Sequence, residues 1–186
     1  YGAYVDITGD MTVSAEDGNG LGVEALTNYN DATIDMEGSI DVYGYDNAIG
    51  ALAASTQGSA SIDVTGNVEV YAYNADAVGL QAQAAVNATV DFEGDMTVEA
   101  DDEAYGIIAL SGTLSDVNVT GGSITVSSDT SDAVGINAVS GVTVDVDVTA
   151  DMDVEAFDVA TGINAIGGTT VTVDVTGDMY IGTAYN

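Results

Sequence analysis

The eight residues from Asp6 to Val13, DITGDMTV, return along the chain as DMEGSIDV, DVTGNVEV, DFEGDMTV, NVTGGSITV, DVTADMDV and DVTGDMYI. The fourth residue of each unit stands at Gly9, Gly38, Gly66, Gly94, Gly121, Ala150 and Gly177, a step of 27 to 29 residues. A second marker, apolar-Gly-apolar-x-Ala, recurs as LGVEA, IGALA, VGLQA, YGIIA, VGINA and TGINA, with its glycine at Gly22, Gly50, Gly79, Gly106, Gly135 and Gly162. Two independent markers sharing one period of about 28 residues make the chain a repeat array, six full units and part of a seventh. No shift in composition marks a second domain, so residues 1–186 read as one array without evident caps.

Inside each unit the apolar period is two, which is the signature of strands. In the fourth unit Val90 and Phe92 alternate with Thr89, Asp91 and Glu93, and Met96, Val98 and Ala100 alternate with Asp95, Thr97 and Glu99. A third run follows the acidic turn Asp101-Asp102-Glu103 and is expected to set Tyr105, Ile107 and Ala109 on one side. Three short strands per turn of about 28 residues, with no room for a helix, predict an all-β fold: a parallel β-helix, or β-solenoid. With turns about 4.8 Å apart, the rod is about 32 Å long. The absence of proline agrees, because interior strands must donate hydrogen bonds to the turns on either side.

Other repeat folds fit less well. Leucine-rich repeats need a dense leucine consensus, and the inner positions here are Val, Ile, Ala and Met. Calcium-binding nonapeptide repeats would continue GGxGxD beyond Gly121-Gly122 and Gly167-Gly168, and neither pair does so. Glycines in every unit, with a Thr/Val/Asp strand composition, exclude a helical array.

The consensus of the units, VDVTGDMTVEA followed by AYGIIA, resembles the repeats of autotransporter-adhesin passenger regions and related haemagglutinin-like secreted proteins. That resemblance spans essentially the whole chain. It implies a right-handed parallel β-helix and an extracellular or cell-surface location. The lack of basic residues departs from that family, and no translocator barrel or cap is recognisable in the sequence. The chain opens at Tyr1 with no signal peptide before it, as a mature or excised segment would.

Charge narrows the function. There are 31 acidic residues and no Lys, Arg, His or Cys, for a formal charge of −31. No Ser-His-Asp or Cys-His pair, Schiff-base lysine, or imidazole and thiolate metal cage can be built from such a chain. Paired aspartates could still run an inverting hydrolysis of a polysaccharide. Enzymes of this fold that cut acidic glycans, however, resemble one another in setting Arg, Lys or His beside those carboxylates. The expectation is therefore a non-enzyme. Nucleic acid and anionic membranes are repelled for want of cations, and no apolar run reaches the roughly 18 residues of a membrane helix.

Stacking converts each repeat position into a column. Asp6, Asp35, Asp63, Asp91, Asn118, Asp147 and Asp174 form one such column, expected to point outward. Two carboxylates about 5 Å apart repel by about 0.8 kcal/mol in water and more at lower dielectric, with no side-chain cation to relieve them. A second column holds Asp10, Ser39, Asn67, Asp95, Gly122, Asp151 and Asp178, and the turn before the third strand adds Asp101 and Asp102. Hard cations take six to eight oxygen ligands, so calcium bound between neighbouring turns is the expected cofactor. The alternative for the same acids is a solvated, salt-adapted surface.

Tyr43 and Tyr45 align with Tyr71 and Tyr73 one unit later, as stacked rings on the rod surface. Cross-strand pairing accounts for them; binding of a glycan or a basic protein through Tyr and Asp columns is the alternative function. The residue after next to the second-marker glycine runs Glu24, Leu52, Gln81, Ile108, Asn137 and Asn164, a narrow and partly apolar strip. Beside it the glycine column reads as a stripe where a second rod could approach. Self-assembly, end-to-end or lateral, is thus expected of a structural shaft, stalk or filament subunit. Asn87-Ala88-Thr89 and Asn118-Val119-Thr120 match the glycosylation acceptor pattern.

Overall fold

The computed structural model describes residues 2–183. The first two turns comprise β1 (Ala3–Thr8), β2 (Met11–Ala15) and β3 (Gly20–Thr27), then β4 (Ala32–Glu37), β5 (Ile40–Gly44) and β6 (Ala48–Ser55). The next two comprise β7 (Ala60–Thr65), β8 (Val68–Ala72) and β9 (Ala77–Ala84), then β10 (Asn87–Glu93), β11 (Met96–Ala100) and β12 (Ala104–Ser111). In the fifth and sixth turns the first two strands run together, as β13 (Leu114–Ser128) before β14 (Ala133–Ser140), and β15 (Thr143–Ala156) before β16 (Ala160–Gly167). β17 (Thr170–Val175) and β18 (Met179–Thr183) begin a seventh turn. The fold is a β-solenoid with stacked parallel sheets, as the repeat period and strand alternation predict.

Each strand pairs in parallel with its equivalents one turn above and below. The first and second strands of the turns form a twelve-stranded sheet, joined through β13 and β15, and the third strands form a six-stranded sheet. The register is one repeat everywhere: Ile34 lies on Ile62, Ile62 on Val90, Val90 on Val117 and Val117 on Val146. These side chains are fully buried. A size rule operates across the core. The inner column of the six-stranded sheet at Ala53, Ala82, Ala109 and Ala138 is all alanine, and the sulfurs of Met96 and Met152 from the other sheet lie 3.0 and 2.8 Å from where a Cβ on Gly79 and Gly135 would stand.

Glycine works in two different ways. At the corner between first and second strands Gly66 has φ 144°, a region L-residues rarely adopt. Ala150 takes the same place in the sixth turn without positive φ, and there the strand runs straight on as β15. At the second marker the constraint is space: a Cβ on Gly79 would sit 2.5 Å from the carbonyl oxygen of Gly106, and one on Gly106 equally close to that of Gly135.

That glycine corrects two expectations. Pairing passes over it, from Tyr105↔Val134 directly to Ile107↔Ile136, so alternation slips by one residue. Ala104, Ile107 and Ala109 therefore face the core, while Tyr105 is on the outer side, half-exposed. The glycines themselves are not an outer stripe. Gly50, Gly79, Gly106 and Gly135 are buried, and the Cβ direction at Gly106 points at Val126 Cγ2, 3.1 Å away, as well as at the next turn's backbone.

Candidate functional site: the acidic columns

The first-strand column is in register throughout: Asp6 on Asp35, Asp35 on Asp63, Asp63 on Asp91, Asp91 on Asn118, Asn118 on Asp147 and Asp147 on Asp174. All face outward between apolar neighbours, which are buried from Asp35 to Asp147. Hydrogen bonding constrains the spacing to about 4.8 Å, so the carboxylates cannot spread apart without breaking the ladder. A second outward column on the same sheet places Asp116 on Asp145, beside Asp91.

Burial, then the charges of Asp91 and Asp35, holds the Asp63 carboxyl above its ordinary 3.8. Asp116 is raised for the same reasons, burial first and then Asp145 and Asp91. An acid whose folded pKa exceeds its unfolded one opposes folding while charged. That penalty is fully present above the raised folded value and gone below the unfolded value near 3.8. At low ionic strength the melting temperature is therefore expected to rise as pH falls from 7 towards 4.5, read by circular dichroism. A fall over that interval would mean that other groups dominate the linkage.

The second set of acids does something the sequence reading did not anticipate. Asp10 Oδ1 accepts the backbone N–H of Ser39 in the next turn at 2.9 Å, and Asp151 Oδ1 accepts that of Asp178 at 2.9 Å. Asn67 Oδ1 accepts the N–H of Asp95 at 3.2 Å, and Asp95 Oδ1 accepts both the N–H and hydroxyl of Ser123, at 2.9 and 3.0 Å. Ser123 fills this column, not Gly122, because Gly121-Gly122 adds a residue and the register shifts between Thr120 and Ser123. These side chains clip successive turns together at a corner where strand hydrogen bonding lapses.

A second clip line lies at the turn before the third strand. Asn19 accepts from Asn47, Asn47 from Asp76, and Asp76 from Glu103, at 3.2 to 3.3 Å, and Asp132 accepts from Val159 at 3.0 Å. Its signal was present in the sequence, as a polar side chain three residues before most second-marker glycines. Asp101 and Asp102, in the neighbouring turn, are tied by their backbones. Thr130 Oγ1 donates to the Asp101 carbonyl at 2.6 Å, and the buried Ser128 hydroxyl donates to that of Asp102. Among the described residues every buried side-chain N or O has a hydrogen-bond partner.

The two acid columns should thus respond oppositely to neutralisation. Asp63→Asn is expected to stabilise the rod by removing a repelling charge. Asp95→Ala should cost about 1 kcal/mol, since it removes accepted bonds to Ser123. Asp95→Asn, copying Asn67, should recover most of that loss. Urea unfolding checks this; guanidinium would mask the result by screening. Equal effects at both positions would contradict the division of labour.

Among the described residues no group of three or more acidic side chains gathers tightly enough to hold an ion. The acids are strung along the rod at no more than one per turn in each column. A cation here would draw on neighbouring turns and on water, with Asp6, Asp35, Asp63, Asp91, Asp147 and Asp174 on one line and Asp10, Asp95, Asp151 and Asp178 on another.

Tyr43 stacks on Tyr71 in the expected register. Tyr71 and Tyr73 meet edge to face, with centroids 5.0 Å apart and planes at 76°. Tyr43 Oη donates to Glu69 at 2.6 Å, and that bond, followed by burial and the charges of Glu69 and Asp41, pushes its phenol up to about 12. Tyr45 and Tyr73 are exposed at 46% and 63%. The rings border shallow recesses of about 250 and 200 Å³, the first reaching Ser14 and Glu16, the second Glu99, Asp101 and Asp129. The ring contact thus lies within one turn, between Tyr71 and Tyr73, and it is the Glu69 bond that ties Tyr43 to the next turn.

No family model matches the chain, and neither does any curated protein or solved structure.

Proposed function

We propose that the chain is a structural β-solenoid, a rod segment of an extracellular shaft, stalk or filament of the autotransporter-adhesin kind, with calcium taken up on its acidic columns. The observation that carries this reading is the regular one-repeat register. Strands pair residue for residue through all the turns, with one shift between Thr120 and Ser123. Among the described residues no turn is opened by an inserted loop, and it is on such loops that sites for chemistry are generally built. Together with the lack of His, Cys, Lys and Arg, this favours a scaffold over an enzyme.

Calcium suits the columns for a physical reason. A fixed line of carboxylates about 4.8 Å apart costs free energy in every turn, and a divalent ion bridging two turns reverses the sign of that interaction. Sites of this open, water-completed kind match the weak affinities, about 0.1 to 1 mM, of extracellular calcium modules. Calorimetric titration of the full chain at constant ionic strength tests it. Saturable calcium heat in that range is expected, reduced in the double variant Asp63→Asn/Asp91→Asn. Heat no greater than that of matched sodium chloride would return the acids to a solvated surface.

A further inference from the structure

We propose that the outer face of the six-stranded sheet is a self-association surface whose occupant is the same face of a second copy of this chain. The inference rests on the structural-rod reading and goes beyond it by naming the surface and the partner. Each of β3, β6, β9, β12, β14 and β16 sets three side chains on this face, and Glu24 is the one acid among them. In a chain with 31 acids and no bases, an almost uncharged wall is a marked segregation.

What replaces the acids is apolar and in line. One outer column runs Leu26, Ala54, Gln83, Leu110, Val139 and Ile166, apolar but for one amide, with Leu26 and Ile166 exposed at 53% and 54%. In the middle column Leu52 continues into amides, where Asn164 Nδ2 donates to Asn137 Oδ1 at 3.0 Å. Six strands about 4.8 Å apart, each eight residues long at about 3.3 Å per residue, give a face of about 750 Å². A stable interface needs about 800 Å² per partner, so the whole face is of the right size for one copy.

Charge selects the partner. Pairing two acidic walls would set acid columns against one another, and pairing an acidic wall with the uncharged one would bury carboxylates with no cation to meet them. Placing the two uncharged faces together, related by a two-fold axis, instead leaves the Asp columns on the outside of the pair. A residual repulsion between two copies of charge −31 acts at longer range and is screened by salt. The dimer should therefore form at high ionic strength and weaken at low.

Sedimentation velocity of the full chain at 100 µM, in sodium chloride with chelator present, is the test. Dimer in 0.5 M salt and monomer in 10 mM salt are expected. The double variant Leu52→Asp/Leu110→Asp should weaken the dimer at least tenfold in 0.5 M salt. Since the chain has no cysteine, Gln81→Cys near the centre of the face offers a second measurement that does not depend on how the double variant folds. It should form an intermolecular disulfide in 0.5 M salt, whereas Thr97→Cys on the acidic wall should not. Monomer in 0.5 M salt, or crosslinking equal at Gln81→Cys and Thr97→Cys, would overturn the proposal. So would a monomer that floats with neutral phosphatidylcholine vesicles, which would assign the face to lipid. With calcium excluded throughout, failure here leaves the calcium reading standing, and failure of calcium binding leaves this one standing.

Discussion

Gly106→Val is expected to cost about 3 kcal/mol and to lower the melting temperature by about 6 to 12 °C, if the chain still folds. The added Cβ would lie 2.5 Å from the backbone oxygen of Gly135 and 3.1 Å from Val126 Cγ2. Neither neighbour can yield cheaply. The oxygen belongs to β14, which is anchored on its two sides by β12 and β16, and Val126 is fully buried among stacked valines. Alanine meets the same oxygen and should be damaging too, by a smaller amount, because it lacks the two methyl groups that valine adds. Since total stability of a domain is about 5 to 15 kcal/mol, the valine variant removes a large part of it. Thermal unfolding followed by circular dichroism reads the result. A valine variant melting within 2 °C of the parent would mean that the turns are not packed at this distance.

Ile62→Ala should cost about 2 to 5 kcal/mol, whereas Val173→Ala should cost less than about 1 kcal/mol. Both positions lie in one inward column, linked through Val90, Val117 and Val146. Ile62 is completely buried between two turns, and its truncation leaves a cavity that fixed strand spacing prevents from closing. Val173 stands on the seventh turn and is 44% exposed, so its side chain has less burial to lose. Urea denaturation of the two variants side by side measures the gradient. Equal losses would show that the end of the array is packed as tightly as its middle.

Much of the molecule was legible from residue order. The two markers gave the period, the alternation around Gly94 gave the first two strands, and stacking equivalents placed Asp6 through Asp174 and Tyr43 with Tyr71 in their observed columns. The third strand was harder to read, for a physical reason. Its glycine is squeezed between turns and passed over in pairing, so strict alternation assigned Tyr105 to the wrong face. The doubled glycine at 121–122 misplaced the corner column by one residue in the same way, because a bulge adds a residue without adding a ladder position. The corner clips were hidden for another reason: an aspartate that accepts a backbone N–H is spelled the same as one that only repels its neighbour. Asp95 and Asp91 look alike in sequence and differ in what lies within 3 Å of them. Part of the uncharged wall was legible as the strip from Glu24 to Asn164, whereas the column at Tyr105 joins it only because the slip at the glycine turns that residue outward.

On the proposed function, the stacked carboxylates limit the stability of the rod and calcium relieves them. The most direct measurement is a thermal melt at low ionic strength, first with excess chelator and then with millimolar calcium, against sodium chloride at matched ionic strength. A large rise in melting temperature specific to calcium is predicted, as expected when an ion binds the folded chain alone. An equal rise with sodium would contradict it and leave the acidic columns as a surface that any salt can screen.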